Sequence, residues 1–200
     1  MKLDKIFSAL IVHLKISFIG VILGSILGII LASLIFNSKK ASKVIMTIVD
    51  AIQTVPTMAM LIFIMLIFGL NDNTVICAIF LYSLFPIVRN TYVGLSTVDS
   101  GVLRAGKGIG MTRMQLYFKV KLPLAMPYII AGIRLAIVTA LATTTTGVFV
   151  GAGGLGGYIW RGIQTRNNLM ILSGAVPVSL LAIIFEYLLG FIEKRLKKGR

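Results

Sequence analysis

The sequence predicts an all-α, polytopic integral membrane protein with five membrane-spanning helices, its N-terminus outside and its C-terminus in the cytoplasm. Three observations carry this. Hydrophobic residues make up 58% of the 200-residue chain against 13% charged, and the mean hydropathy is +0.98, too apolar for a soluble domain of this length. Apolar runs close to the roughly 20 residues that a span needs recur along the chain. The basic residues behind the net charge of +14 sit in the gaps between those runs and at the C-terminal end, so they mark topology rather than a nucleic-acid surface.

The spans are placed at residues 16–36, 44–70, 74–88, 128–150 and 169–192, the third continuing through Arg89 to Tyr92 with a bend at Pro86. The first run is long and has no small-residue cleavage site, so it is read as a retained span rather than a signal peptide. Residues 1–15 are then an extracytoplasmic segment, 16–192 a single transmembrane domain and 193–200 a basic cytoplasmic tail. Lys39, Lys40, Lys43, Arg89, the basic residues between 104 and 121 and those after 193 all fall on one side, which the positive-inside rule makes the cytoplasm. Lys2, Lys5, Lys15, Arg161 and Arg166 fall on the other.

Within the spans, Gly20, Gly24 and Gly28 recur every fourth residue and make one flat helix face. Small residues at that spacing let helix backbones approach closely, here expected within one subunit in preference to a subunit interface. In the second span Asp50, Gln53 and Thr54 precede Pro56, which removes a backbone donor and disfavours helix at Val55. Two readings stay open: a span broken at membrane depth, as found where helices line a transport path, or a proline at the start of the span proper with Asp50 and Gln53 in an interfacial helix. Asp50, Arg134 and Glu186 are ionisable residues inside nominal spans, each six positions from its cytoplasmic end (44 to 50, 128 to 134, 186 to 192). Charge at that depth is costly unless paired, so Arg134 is expected to pair with Glu186 or Asp50 near a gate.

Residues 147–162 are glycine-rich without the Lys-Ser/Thr of a phosphate-binding loop, so this chain is not expected to bind ATP; a flexible re-entrant turn at the outer face, with Tyr158 and Trp160 as interface anchors, is the reading. His13 is the single histidine and no carboxylate cluster accompanies it, and Cys77 is the single cysteine, inside an apolar run. No metal site, catalytic residue or disulfide is expected.

Residues 100–127 are basic and glycine-punctuated, and lie between apolar runs. Val102, Leu103, Ile109, Leu116 and Phe118 interleave with Arg104, Lys107, Arg113, Lys119 and Lys121, which predicts a short amphipathic helix on each side of a turn near Gly110, with Pro123 opening the next span. The segment resembles the EAA loop by which ABC transporter permeases dock on their ATPases. Ala105, Gly110, Val120, Leu122 and Pro123 match at the family's spacing, whereas Arg104 stands where the family has Glu and Gly106 where it has the second Ala.

Together with QTVPTMAML, FPIVRNTYVGL and GVFVGAGGLGGYIWRGI, this block is similar to the permease subunits of osmoprotectant importers, which carry glycine betaine, carnitine or choline. The resemblance implies a type I ABC importer fold of the methionine-importer kind in a bacterial cell membrane. It also implies a second permease, identical or paralogous, a cytoplasmic ATPase dimer that holds ATP and Mg, and a separate extracytoplasmic substrate-binding protein. Rival readings are a permease for an amino acid such as methionine, and a small channel or assembly factor without an ATPase.

Overall fold

The computed structural model describes residues 3–198, and every regular element among them is helical. The elements run α1 (Leu3–Ile35), α2 (Lys39–Thr54), α3 (Thr57–Phe68), α4 (Asp72–Ser96), α5 (Ser100–Gly108), α6 (Arg113–Leu116), α7 (Leu122–Thr146), α8 (Gly156–Gln164) and α9 (Asn168–Lys198). Four helical stretches are long and apolar enough to cross a membrane: 4–35, 72–96, 113–150 and 168–198. A fifth span requires counting α2 and α3 as one broken helix, bent by 97°.

Four of the five expected spans lie in helices longer than predicted, while the second is split at Pro56 into two shorter ones. α1 starts at Leu3, so the segment expected to precede the first span is continuous with it from there on. α9 runs through Lys198, so the described part of the expected basic tail is helix, and its Glu193 is buried. α4 carries the third span through Arg89 and Tyr92, as expected, and on to Ser96, with Pro86 inside the helix. Hydropathy windows end at the first polar residues, but a helix does not have to, provided those residues find partners.

The break at Pro56 has a local cause. Proline has no N–H to give to Ile52, whose carbonyl instead accepts from Val55 N–H at 3.3 Å. The Val55 carbonyl is taken up by the Tyr82 hydroxyl of α4 at 2.6 Å, so the sharp turn leaves it satisfied.

Helix α4 is the centre of the bundle. Gly20, Gly24 and Gly28 of α1 are all buried and lie against Ile79, Ser83 and Ile87, a matching row of every fourth residue on α4. The other side of α4 meets α7, where Gly132 sits against the Pro86 carbonyl and Ile87 backbone. The main core gathers Ile16, Leu61, Ile79, Ile137 and Leu141 from α1, α3, α4 and α7, with Cys77 packed at its edge. By contrast α9 leaves Leu180, Ile184 and Leu188 half exposed, an apolar face suited to lipid.

A Cβ on Gly24 would stand 2.6 Å from the Ser83 Cβ and 3.1 Å from the Phe80 carbonyl oxygen, neither of which yields without moving α4. Gly24→Leu is therefore expected to lower stability by about 1–3 kcal/mol through overpacking, read as the thermal melting temperature in detergent. Gly157→Ala, where nothing lies within 4 Å, serves as the control. A wild-type melting temperature for Gly24→Leu would show that the glycine face is not what brings α1 and α4 together.

Candidate functional site

The basic hairpin of residues 100–123 is built by four local devices. Asp99 caps α5, its carboxylate accepting the N–H groups of Gly101 at 2.6 Å and Val102 at 3.1 Å. At the other end Gly110 takes φ of +83°, and paired bonds from Gly110 N–H to the Lys107 carbonyl and from Met111 N–H to the Gly106 carbonyl close the helix. Thr112 and Gln115 then form a reciprocal capping box that starts α6. Finally, residues Tyr117–Lys121 make one π-helical turn in which Leu122 N–H reaches the Tyr117 carbonyl, just ahead of Pro123, which has no N–H to donate. The second arm of the hairpin and the fourth span are thus one helical run, not a helix followed by a separate span.

Gly106 is buried under Leu116, where a Cβ would approach the leucine to 2.7 Å, so it holds the two arms together. Arg104 and Ala105 lie on the exposed side of α5, and Arg104 donates to Ser100 Oγ at 3.0 Å. Val120 falls in the π turn, while Leu122 packs with Leu95, Ala125 and Ile129 at the foot of α7. Ile109 and Met114, at the tip, are 81% and 65% exposed.

Of the two partners expected for Arg134, Glu186 is found beside it and Asp50 is not. Asp50 lies 3.4 Å from Arg89 on α4, not beside Arg134. Arg134 meets Glu186 at 3.6 Å and Glu193 at 3.3 Å, and Glu193 also holds Lys197 at 2.6 Å. The sequence places Glu193 at the start of the tail, yet it stands seven residues from Glu186, two turns along the same face of α9. Gln53, Thr54 and Pro56 line the exposed side of the break, apart from the Arg134 cluster.

The glycine-rich segment is not a flexible turn but a seated loop. A 3-10 turn over Gly147–Val150 leads into it, and Gly151 and Gly154 take positive φ angles of 76° and 107° that only glycine adopts cheaply. Gly153 N–H donates to the Asp72 carboxylate at 2.8 Å. Leu155 N–H donates to His13 Nδ1 at 3.4 Å, which leaves Nε2 as the protonated nitrogen donating to the Leu141 carbonyl at 3.2 Å. Ser17 and Thr144 share a 2.7 Å bond one turn further in. His13 therefore joins α1, α7 and the loop, a role no local signal in the sequence announces.

An all-helical membrane bundle with a basic, doubly capped hairpin fused to one span is the architecture of an importer's transmembrane subunit. Residues 24–198 match the family model of the binding-protein-dependent transport system inner membrane component, and the chain belongs to that family. It is 44% identical over 193 residues to the glycine betaine/carnitine/choline transport system permease protein OpuCD of Bacillus subtilis (strain 168), covering 94% of this chain and 84% of the relative. It is 44% identical over 185 residues to the carnitine transport permease protein OpuCD of Listeria monocytogenes serotype 1/2a (strain 10403S), covering 92% and 83%. Among solved structures, an inward-facing MetNI methionine ABC transporter superposes with a TM-score of 0.84 over 98% of this chain and 99% of that one, at 20% identity, a likeness of fold.

Proposed function

We propose that this chain is the membrane-spanning permease subunit of an ATP-driven importer of quaternary ammonium osmoprotectants, namely glycine betaine, carnitine or choline. The observation that carries this is the 44% identity, across 94% of the chain, to a permease named for those three compounds. The chain works with a second permease, identical or paralogous, a cytoplasmic ATPase dimer and a separate extracytoplasmic binding protein. ATP and Mg belong to the ATPase, and this chain performs no catalysis.

The geometry supports alternating access driven from the hairpin. The exposed Ile109 and Met114 give a partner ATPase an apolar tip to grip, and Gly110 sets the angle between the two arms. Displacement of the hairpin passes into α7 without a joint, because residues 113–150 form one helical run. At the far end, the loop that follows α7 is tied to α1 through His13 and to α4 through Asp72, so a tilt of α7 reaches the outer mouth. The Arg134, Glu186 and Glu193 cluster sits between α7 and α9, where such a tilt would strain it.

Uptake of labelled glycine betaine, carnitine and choline, in a host lacking its own osmoprotectant importers and expressing the chain with its ATPase and receptor, tests the substrate class. Accumulation of none of the three, or of methionine instead, would overturn it. The orientation has its own test: with Cys77→Ala as background, Asn73→Cys is expected to react with an impermeant thiol reagent added to intact cells and Lys107→Cys to stay unlabelled. Both side chains are exposed, so reactivity reports the side of the membrane. The reverse pattern would invert the topology.

A further inference from the structure

A cavity of about 540 Å³ opens where the end of α1 meets the inner side of the docking hairpin. Lys107, Arg113 and Lys121 contribute three cations to its lining and no carboxylate faces them. Among the described residues none of the three forms a salt bridge. The walls are fixed. The Lys121 ammonium lies 4.2 Å from the centre of the Phe36 ring, the Tyr117 hydroxyl shares a 2.5 Å bond with Ser33 Oγ on α1, and the capping box of Thr112 and Gln115 orients the turn that carries Arg113. Phe36, Tyr117 and Leu116 supply apolar lining beside the charges.

The position along the chain fixes the depth. Phe36 directly follows the last residue of α1, and Lys121 lies in the π turn of the helical run 113–150 beside it, so the cavity sits level with the end of a membrane-crossing helix. Three unneutralised cations beside an aromatic, apolar wall at that level match a ligand that is anionic at one end and greasy at the other. The exposed tip residues Ile109 and Met114, which a protein partner would cover, do not line it.

We propose that this cavity is a binding site for the phosphate headgroup of an anionic phospholipid, with Lys107, Arg113 and Lys121 on the phosphate and the Phe36 and Tyr117 rings against the glycerol and upper acyl chain. It requires only that α1 ends at a membrane interface, and it stands or falls apart from the transported substrate. The test uses the full-length chain in phosphatidylcholine nanodiscs with a photoactivatable phosphatidylglycerol, the labelled residues being mapped by mass spectrometry. Labelling is expected at the cavity wall, competed by unlabelled phosphatidylglycerol and not by additional phosphatidylcholine or by millimolar inorganic phosphate.

Lys107→Gln/Arg113→Gln/Lys121→Gln is expected to weaken phosphatidylglycerol binding roughly 100-fold, at about fivefold per basic side chain near an anionic headgroup. The matched variant Lys39→Gln/Lys40→Gln/Lys43→Gln, on α2, is expected to bind close to wild type. Equal losses in both triple variants would reduce the site to diffuse charge attraction. Competition by inorganic phosphate as strong as by the lipid would make it a soluble-anion site, and loss of labelling on adding the purified partner ATPase would give the cavity to that protein; each result overturns the proposal. Should the cavity variant fail to fold, the competition series on the wild-type chain decides alone.

Discussion

Gly110→Leu is expected to abolish most substrate-stimulated ATP hydrolysis and uptake by the assembled transporter, whereas Gly110→Asn retains a large part of both. Gly110 has φ of +83° and nothing within 4 Å of where a Cβ would be, so the penalty is one of backbone conformation and not of space. Holding an ordinary L-residue in the left-handed region costs about 1–2 kcal/mol, enough to shift the population of correctly closed hairpins roughly 5- to 30-fold. Asparagine tolerates this region and so separates conformation from size. Gly108→Ala, in the last turn of α5 with open space around it, is expected to behave as wild type. Wild-type coupling in Gly110→Leu would remove the hairpin from the coupling path. Arg104, exposed and bonded to Ser100, is expected to matter far less.

The second large effect is expected at Arg134. Its guanidinium lies 3.3 Å from Glu193, whose side chain is 10% exposed, so Arg134→Met leaves that carboxylate with Lys197 as its remaining cation. The loss is expected to be about 1–3 kcal/mol, below that of a fully buried pair because Arg134 keeps some solvent contact. Adding Glu193→Gln should restore part of it, with a coupling of about 1 kcal/mol or more in a double-mutant cycle scored by unfolding in detergent. Glu186→Gln is expected to do little, its side chain being half exposed. Asp50→Asn combined with Arg134→Met is expected to be additive, since Asp50 answers to Arg89. Additive losses for Arg134 and Glu193 would reduce the cluster to independent interfacial charges.

What could be read from the sequence was local chemistry. A glycine that must turn left-handed, a proline that cannot donate and a glycine every fourth residue each constrain only their own neighbourhood, and all stand where that chemistry puts them: Gly110 in the turn, Pro56 at the break, Gly20, Gly24 and Gly28 against α4. What could not be read was partner choice across the bundle. His13 finds Leu141 and Leu155, at separations of 128 and 142 residues, and no periodicity in α1 points to either. Depth from a helix end placed Asp50 level with Arg134, but depth says nothing about azimuth, and α2 faces α4. Arg89 falls within the expected extension of the third span but nothing local names Asp50 as its partner, and Glu193 lies one residue past the last apolar run, although both are held inside continuous helices.

The π turn at Tyr117–Lys121 sets an angle as well as a bond. Because Leu122 N–H reaches five residues back, everything before it is turned relative to α7 by one residue's worth of helix, about 100° from where an unbroken α-helix would aim it. Angular register thus helps to point the hairpin, together with the Tyr117–Ser33 bond that ties its second arm to α1. Removing one residue from this turn would leave every pairing within the hairpin and within α7 intact while swinging the hairpin tip toward a different compass bearing. A transporter altered in this way would keep a folded permease and a well-formed hairpin, and would fail because the two no longer share a phase.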